Sequence, residues 1–221
     1  MPGPPACCLT PAPHGRAPEP AIHRARGAPC PHVPRSASSS AAPAPSASAA
    51  RSPTRLAARI EAAGGEPVLL DLAEIQLPLL DEALPPASGV RTQPHSIAWA
   101  ERITALDAVV FVTPDYNAGY PAALKNAIDY LKAEWVGLPA VVVSYGWAGG
   151  AAANAQLSAV LRYIGLDLQG DGVRMAFEQG DFDESMRLVD AAAFVARSED
   201  DLRTAVADLV AAGEAAERAA A

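Results

Sequence analysis

The chain has no cysteine beyond residue 30 and no strand-like run followed by G-x-G-x-x-G. Nor does any stretch reach the ~20 consecutive apolar residues of a membrane span. Each absence excludes something. Cys7 and Cys8 are adjacent, and Cys30 beside His32 lacks paired ligand spacing, so neither a disulfide framework nor a metal centre is expected and a reducing cytoplasm fits. Without a glycine fingerprint there is no separate dinucleotide-binding domain. Positive charge is also scarce where the chain can fold. Five arginines and one glutamate fall in residues 1–53, leaving 12 basic and 24 acidic residues for the rest. An acidic domain argues against nucleic acid or an anionic membrane as partner, since both rely on basic patches.

Residues 1–53 hold 13 of the 21 prolines and three of the four histidines, with no run of large aliphatics. Such a stretch buries too little apolar surface to offset its ordering entropy, so residues 1–50 are expected to be a disordered Pro/Ala/Ser/Arg-rich tail ahead of a folded domain at 51–221. The tail also lacks the apolar core of a secretory signal.

The most informative stretch is TPDYNAGYPAALKNAIDY, residues 113–130. Upstream of it Ala108, Val109, Val110, Phe111 and Val112 form an apolar run suited to a parallel strand buried on both faces. Pro114 removes a backbone donor, Asp115 and Asn117 favour a turn, and Gly119 permits positive φ, so the chain leaves the sheet here. Pro121 then suits a helix start, and Leu124, Ala127, Ile128 and Leu131 continue an apolar stripe. The loop therefore sits at the carboxyl edge of a parallel sheet, where open α/β folds bind ligands.

The same alternation runs along the chain. Helices are expected over 53–63, 97–106, 121–131 and 151–164, with a last one starting near the capping-box-like Ser198 to Asp201. Strands are expected at 68–72, 108–112, 139–144 and 173–177, with 85–95 as loop. Strands alternating with helices imply a doubly wound parallel sheet with helices on both faces. A second polar loop, Ser144, Tyr145, Gly146, Trp147, Ala148, Gly149 and Gly150, follows the 139–144 strand; its glycines let backbone approach a ligand, and Ser144 offers a donor.

At residues 113–129 the chain resembles the NADPH-dependent FMN reductase family, whose middle motif reads approximately T-P-E-Y-N-x-x-x-P-x-x-L-K-N-A-I-D; Asp115 stands for the usual Glu. The resemblance covers roughly residues 52–212 and implies a flavodoxin-like fold. It departs at the family's first strand, because residues 34–45 are small, polar and interrupted by proline, unfit for a central strand; that strand is expected to be missing. By resemblance FMN is held by Pro114, Asp115, Tyr116 and Asn117 along the ring and by Ser144, Tyr145, Gly146 and Gly149 at its pyrimidine edge. Ser52 and Thr54 stand at the end of the phosphate loop, either as phosphate donors or as helix N-caps. No catalytic acid and no metal are implied. NADPH or NADH delivers a hydride over the flavin to a flavin, quinone or similar small-molecule acceptor. Trp147 and Tyr145 could shield the ring but are expected rather to anchor their loop, Lys125 to be structural, and His95 to be a solvated loop residue. The resemblance also implies a homodimer or homotetramer across the helix after the signature, with Tyr130, Trp135 and Leu138 exposed there. Two other readings share this pattern: a flavodoxin-type electron carrier, which the acidity suits, and a defective relative without cofactor.

Overall fold

The computed structural model describes residues 51–220, with backbone alone at 51–55 and 220. The tail expected at 1–50 and the weak first-strand segment at 34–45 lie outside the described residues.

Two apolar runs make the centre of the sheet. Strand β1 (Val109–Pro114) and strand β2 (Pro139–Gly146) run parallel in register from Val109 opposite Ala140 to Pro114 opposite Tyr145. On its other side β2 pairs first with β3 (Asp167–Leu168) and then with β4 (Val173–Ala176), also parallel. The two short strands are halves of one edge. Alternation along β1 and β2 sends successive side chains to opposite faces, and both faces are covered. Val109, Phe111, Ala140 and Val142 pack under α3 (Pro94–Thr104), α4 (Ala122–Asp129) and α5 (Ala151–Ile164). Val110, Val112, Val141 and Val143 pack under α1 (Arg51–Ala62), α6 (Ala191–Ala196) and α7 (Glu199–Ala220). Each buried Val or Phe contributes roughly 1.5–3 kcal/mol of transfer free energy, which is why these strands read as unbroken apolar runs. The doubly wound sheet read from the sequence is the fold observed.

Four expectations change. Residues 68–72 make no strand. Leu70 and Leu72 turn inward, where they line an apolar cavity of about 20 Å³ with Trp99, Ile103 and Phe111, while Leu69 is 57% exposed. Asp71 ends the extended run by accepting a hydrogen bond from Ala73 N (2.9 Å), which starts the single turn α2 (Leu72–Ile75). Second, α3 begins at Pro94, so His95 is helical rather than a loop residue, and its Nε2 lies 2.9 Å from Asp81 Oδ1. Third, α6 went unseen; Asp190 caps it through Ala192 N and Ala193 N.

The fourth concerns the surface expected to pair with a second copy. Tyr130 and Trp135 are each 1% exposed and Leu138 is 9% exposed. Trp135 Nε1 donates to Ile128 O (3.0 Å) and Tyr130 Oη bonds Asp81 Oδ1 and Pro78 O. All three are core side chains, and the single polar atoms of Tyr130 and Trp135 find internal partners.

Candidate functional site

The site is built where β1 and β2 end side by side. Pro114, the last residue of β1, is buried, and the next amide, Asp115 N, donates to Tyr145 O (2.9 Å), tying the first loop to the second. The chain then reverses in two residues: Tyr116 N donates to Gly119 O (2.8 Å) and Gly119 N to Tyr116 O (3.0 Å). The positive φ that this turn requires falls on Asn117 (52°) and Ala118 (62°), not on Gly119 as the sequence suggested. Two L-residues in the left-handed region match the type I′ pattern, and an alanine there costs roughly 1–2 kcal/mol. Gln156 on α5 holds the strained turn by donating Nε2 to Ala118 O (2.7 Å). Such strain, over-determined by its surroundings, is characteristic of ligand loops.

Asp115 spends its carboxylate internally. Its Oδ2 accepts from Ala153 N (3.4 Å) in the first turn of α5, where the helix dipole favours an anion. Likewise Ser144 is fully buried; its hydroxyl donates to Gly149 O (2.8 Å) and accepts from Asn154 Nδ2 (3.4 Å). The Ser144 hydroxyl thus clamps the second loop from within. Gly146 O accepts from Gly149 N (3.0 Å) and Phe177 N (2.9 Å), which closes the turn and fastens it to the end of β4. Gly150 has φ +66°, and a Cβ there would stand 2.9 Å from both Tyr145 N and Ser144 Cβ, so the loop can cross β2 only at glycine.

What remains to face outward is donor-rich. Among the described residues the amides of Asn117, Ala118, Trp147 and Ala148 and the Asn117 side chain have no hydrogen-bond partner. Tyr116 is exposed and lies near Tyr145, whose hydroxyl pKa burial, aided by Tyr116, pushes up to about 12. Its phenol thus stays protonated across the physiological range. These free N–H groups on adjoining rigid loops fit the polar edge of a flavin ring, which offers carbonyl and ring-nitrogen acceptors.

Ser52 and Thr54 are the second and fourth residues of α1. Leu56, two residues on, lines a small apolar void with Val112, Val143 and Met175. Lys125 pairs with Asp129 (2.5 Å) one turn along α4, as a structural charge does. No cluster of metal-binding side chains occurs among the described residues.

Sequence reasoning missed an aromatic cluster beside the second loop. Phe177 packs against Phe182 (4.9 Å between centroids), Phe194 (5.0 Å), Trp147 (5.9 Å) and Tyr145 (6.1 Å). Its only signal was the apolar Val173 to Phe177 run, because the other rings come from elements far apart in the chain: Tyr145 ends β2, Phe194 belongs to α6, and Trp147 and Phe182 lie on loops.

A doubly wound parallel sheet with its donor-rich loops at the carboxyl ends of adjacent strands places the protein in the flavodoxin-like class. Solved structures share that fold. The flavoenzyme NAD(P)H:(acceptor) oxidoreductase FerB of Paracoccus denitrificans superimposes with TM-score 0.61 at 21% identity, covering 82% of this chain and 97% of that one. A flavodoxin from the Archaea gives 0.51 at 10% identity, covering 81% and 98%. The family model for NADPH-dependent FMN reductases matches residues 43–177, and the chain belongs to that family. The NAD(P)H-dependent FMN reductase LOT6 of Saccharomyces cerevisiae is 47% identical over 108 residues, which is 46% of this chain and 56% of the relative. A quinone reductase of Pseudomonas putida strain KT2440 is 40% identical over 93 residues, 38% of this chain and 48% of the relative. The chain spans about half the length of the curated relatives it matches.

Proposed function

We propose that the chain is an NAD(P)H-dependent oxidoreductase that holds FMN across the two loops and reduces a small quinone-like or flavin acceptor. The observation that carries this reading is the pair of abutting loops, one strained at Asn117 and Ala118 and one closed by Ser144, with four free amides between them. Relatives named as FMN reductases and quinone reductases support the choice of donor and acceptor. FMN, when bound, would supply two-electron chemistry linking hydride donation by NAD(P)H to reduction of an acceptor that gains two protons.

The chain's own part is positional and electrostatic. Asn117, Ala118, Trp147 and Ala148 would hold the ring's polar edge through their N–H groups and so stabilise the negative charge of its reduced form. Asp115 Oδ2 is taken up by Ala153 N at the start of α5, so this side chain serves the loop's geometry; the second proton of the reduced acceptor would come from solvent. Ser52 and Thr54, near the first turn of α1, remain the candidates for the phosphate end.

The absence of cysteine beyond residue 30 supports a cytoplasmic setting. Among the described residues no helix is long and apolar enough to cross a membrane. A homodimer or homotetramer is proposed as the assembly. Its support is no longer Tyr130, Trp135 and Leu138 but the strap at 78–81, which Asn126 of α4 holds through Pro78 O (2.7 Å) and Leu80 N (3.0 Å) and which leaves Leu79 82% exposed. The functional test is NADPH oxidation by the purified chain with FMN and a quinone. Consumption that needs all three supports the proposal, and a rate equal to that of free FMN alone defeats it.

A further inference from the structure

Resting on that reading, we infer that Trp147 is the wall against which the electron acceptor stacks, and that it selects fused bicyclic quinones over monocyclic ones. The three tryptophans of the chain are treated very differently. Trp99 and Trp135 are buried, and each donates its Nε1 to a backbone carbonyl, Ala127 O (2.9 Å) and Ile128 O (3.0 Å). Trp147 is 59% exposed, and its Nε1 has no partner among the described residues. A large apolar ring in water forfeits much of the burial free energy it could gain, so its position calls for a reason beyond packing.

The ring is not loose. It lies 5.4 Å from the Phe182 centroid at 40° and 5.9 Å from Phe177 at 74°. Phe177 in turn leans on Phe194, which is 3% exposed and belongs to the core. Phe182 is carried by a loop that Arg197 fixes through Asp181 (2.6 Å). A chain of aromatic contacts thus runs from the hydrophobic core to the surface and ends in Trp147. Simple loop anchoring, the expectation from sequence, explains the inner rings; it leaves over half of the outermost one uncovered.

Trp147 also sits inside the second loop, between the clamped Gly146 and Gly149, and its own amide is one of the free donors. A preorganised flat apolar surface bordered by N–H donors is the chemistry that recognises a planar aromatic ligand with polar atoms at its rim. A fused bicyclic ring covers more of an indole than a single ring does, so the wall discriminates by overlap area.

The test compares wild type, Trp147→Phe and Trp147→Ala, each loaded with FMN, using menadione and benzoquinone as acceptors. FMN affinity is measured first, by quenching of flavin fluorescence, and the three proteins are then compared at saturating FMN. KM for menadione should then rise about tenfold in Trp147→Ala and by less in Trp147→Phe, with kcat unchanged and KM for benzoquinone within about twofold; such a factor is the size expected for one stacking contact. In the absence of NADPH, menadione should quench the exposed-type tryptophan emission of the wild type and not that of Trp147→Phe. Equal KM changes for both quinones, or no change for either, overturn the inference while leaving the proposed function standing. Loss of FMN affinity in Trp147→Ala assigns the ring to the cofactor and likewise overturns it. A wild type that binds no FMN defeats the functional reading itself, and this inference with it.

Discussion

Two glycines with the same backbone angle offer a controlled measurement of what the second loop tolerates. Gly150 and Gly170 both have φ +66°. At Gly170 nothing lies within 4 Å of an added Cβ, whereas at Gly150 the new atom would stand 2.9 Å from Tyr145 N and Ser144 Cβ and 3.0 Å from Tyr145 O. Gly170→Ala therefore incurs only the left-handed penalty of roughly 1–2 kcal/mol. A stiffer unfolded chain returns ~0.4–1 kcal/mol of it, leaving a net loss of about 1 kcal/mol. Gly150→Ala carries the same penalty plus overlap with β2, which is paired on both sides and cannot retreat. Overpacking of that kind costs about 1–3 kcal/mol, so the total is roughly 2–4 kcal/mol. For a domain of this size each kcal/mol shifts Tm by about 2–4 °C. Urea and thermal unfolding of the two variants beside wild type provide the assay. Gly150→Ala should lose about three times as much stability as Gly170→Ala, with an unchanged m-value, and should bind FMN at least tenfold more weakly because the loop that carries the donors has moved. Equal losses in the two variants would refute the crowded-crossing account of this loop.

Ser144→Ala should destabilise by roughly 1–2 kcal/mol, the cost of leaving Gly149 O without its buried donor, and denaturant midpoints would reveal it; a variant as stable as wild type that had lost FMN would instead restore Ser144 as a ligand donor. Glu82 is drawn upward by partial burial, but hydrogen bonds from Gln93 N, Thr92 N and the Thr92 hydroxyl outweigh that and hold it near a pKa of about 2, against an ordinary 4.5. Its folded pKa is depressed, so its contribution is complete above pH 4.5 and fades as pH falls towards 2. Glu82→Gln should therefore be less stable than wild type at neutral pH, with the two curves converging below pH 4 in acid unfolding. Tyr130→Phe loses the bonds to Asp81 and Pro78 and should cost about 1 kcal/mol; hydrogen exchange should locate the loosening in the 78–81 strap. If the proposed assembly forms through that strap, Leu79→Asp should yield a monomeric mass by light scattering without lowering Tm, and an unchanged mass would remove the strap from the interface.

The sequence was most legible where one pattern had one physical solution. β1 and β2 are long apolar runs that only a doubly covered parallel strand explains, and α5 occupies 151–164, the span that its spacing and Gly165 defined. Local signals failed where a side chain's role depends on a distant partner. Val68 to Leu72 has strand composition, yet Asp71 converts its end into a capped turn. Tyr130 and Trp135 follow the signature helix and look amphipathic, but carbonyls at Pro78 and Ile128 satisfy their polar atoms and admit them, with the aliphatic Leu138, to the core. Within the site, the position of both loops was readable from strand ends, while the division of labour was not. Ala118 carries no mark of a left-handed conformation, and Ser144 looks like any loop donor until Gly149 O is seen 2.8 Å away. The aromatic cluster joins residues 147, 177, 182 and 194, a grouping invisible to any window along the chain.

The central claim is that the two loops at the ends of β1 and β2 hold FMN, and titration of the full chain with FMN tests it most directly. The account predicts quenching of flavin fluorescence that saturates at one FMN per chain, in the micromolar range, and that is weakened by Gly150→Ala but not by Gly170→Ala. A chain shown to be folded by circular dichroism that leaves flavin fluorescence unchanged up to about 50 μM, a binding free energy weaker than roughly −6 kcal/mol, would contradict it.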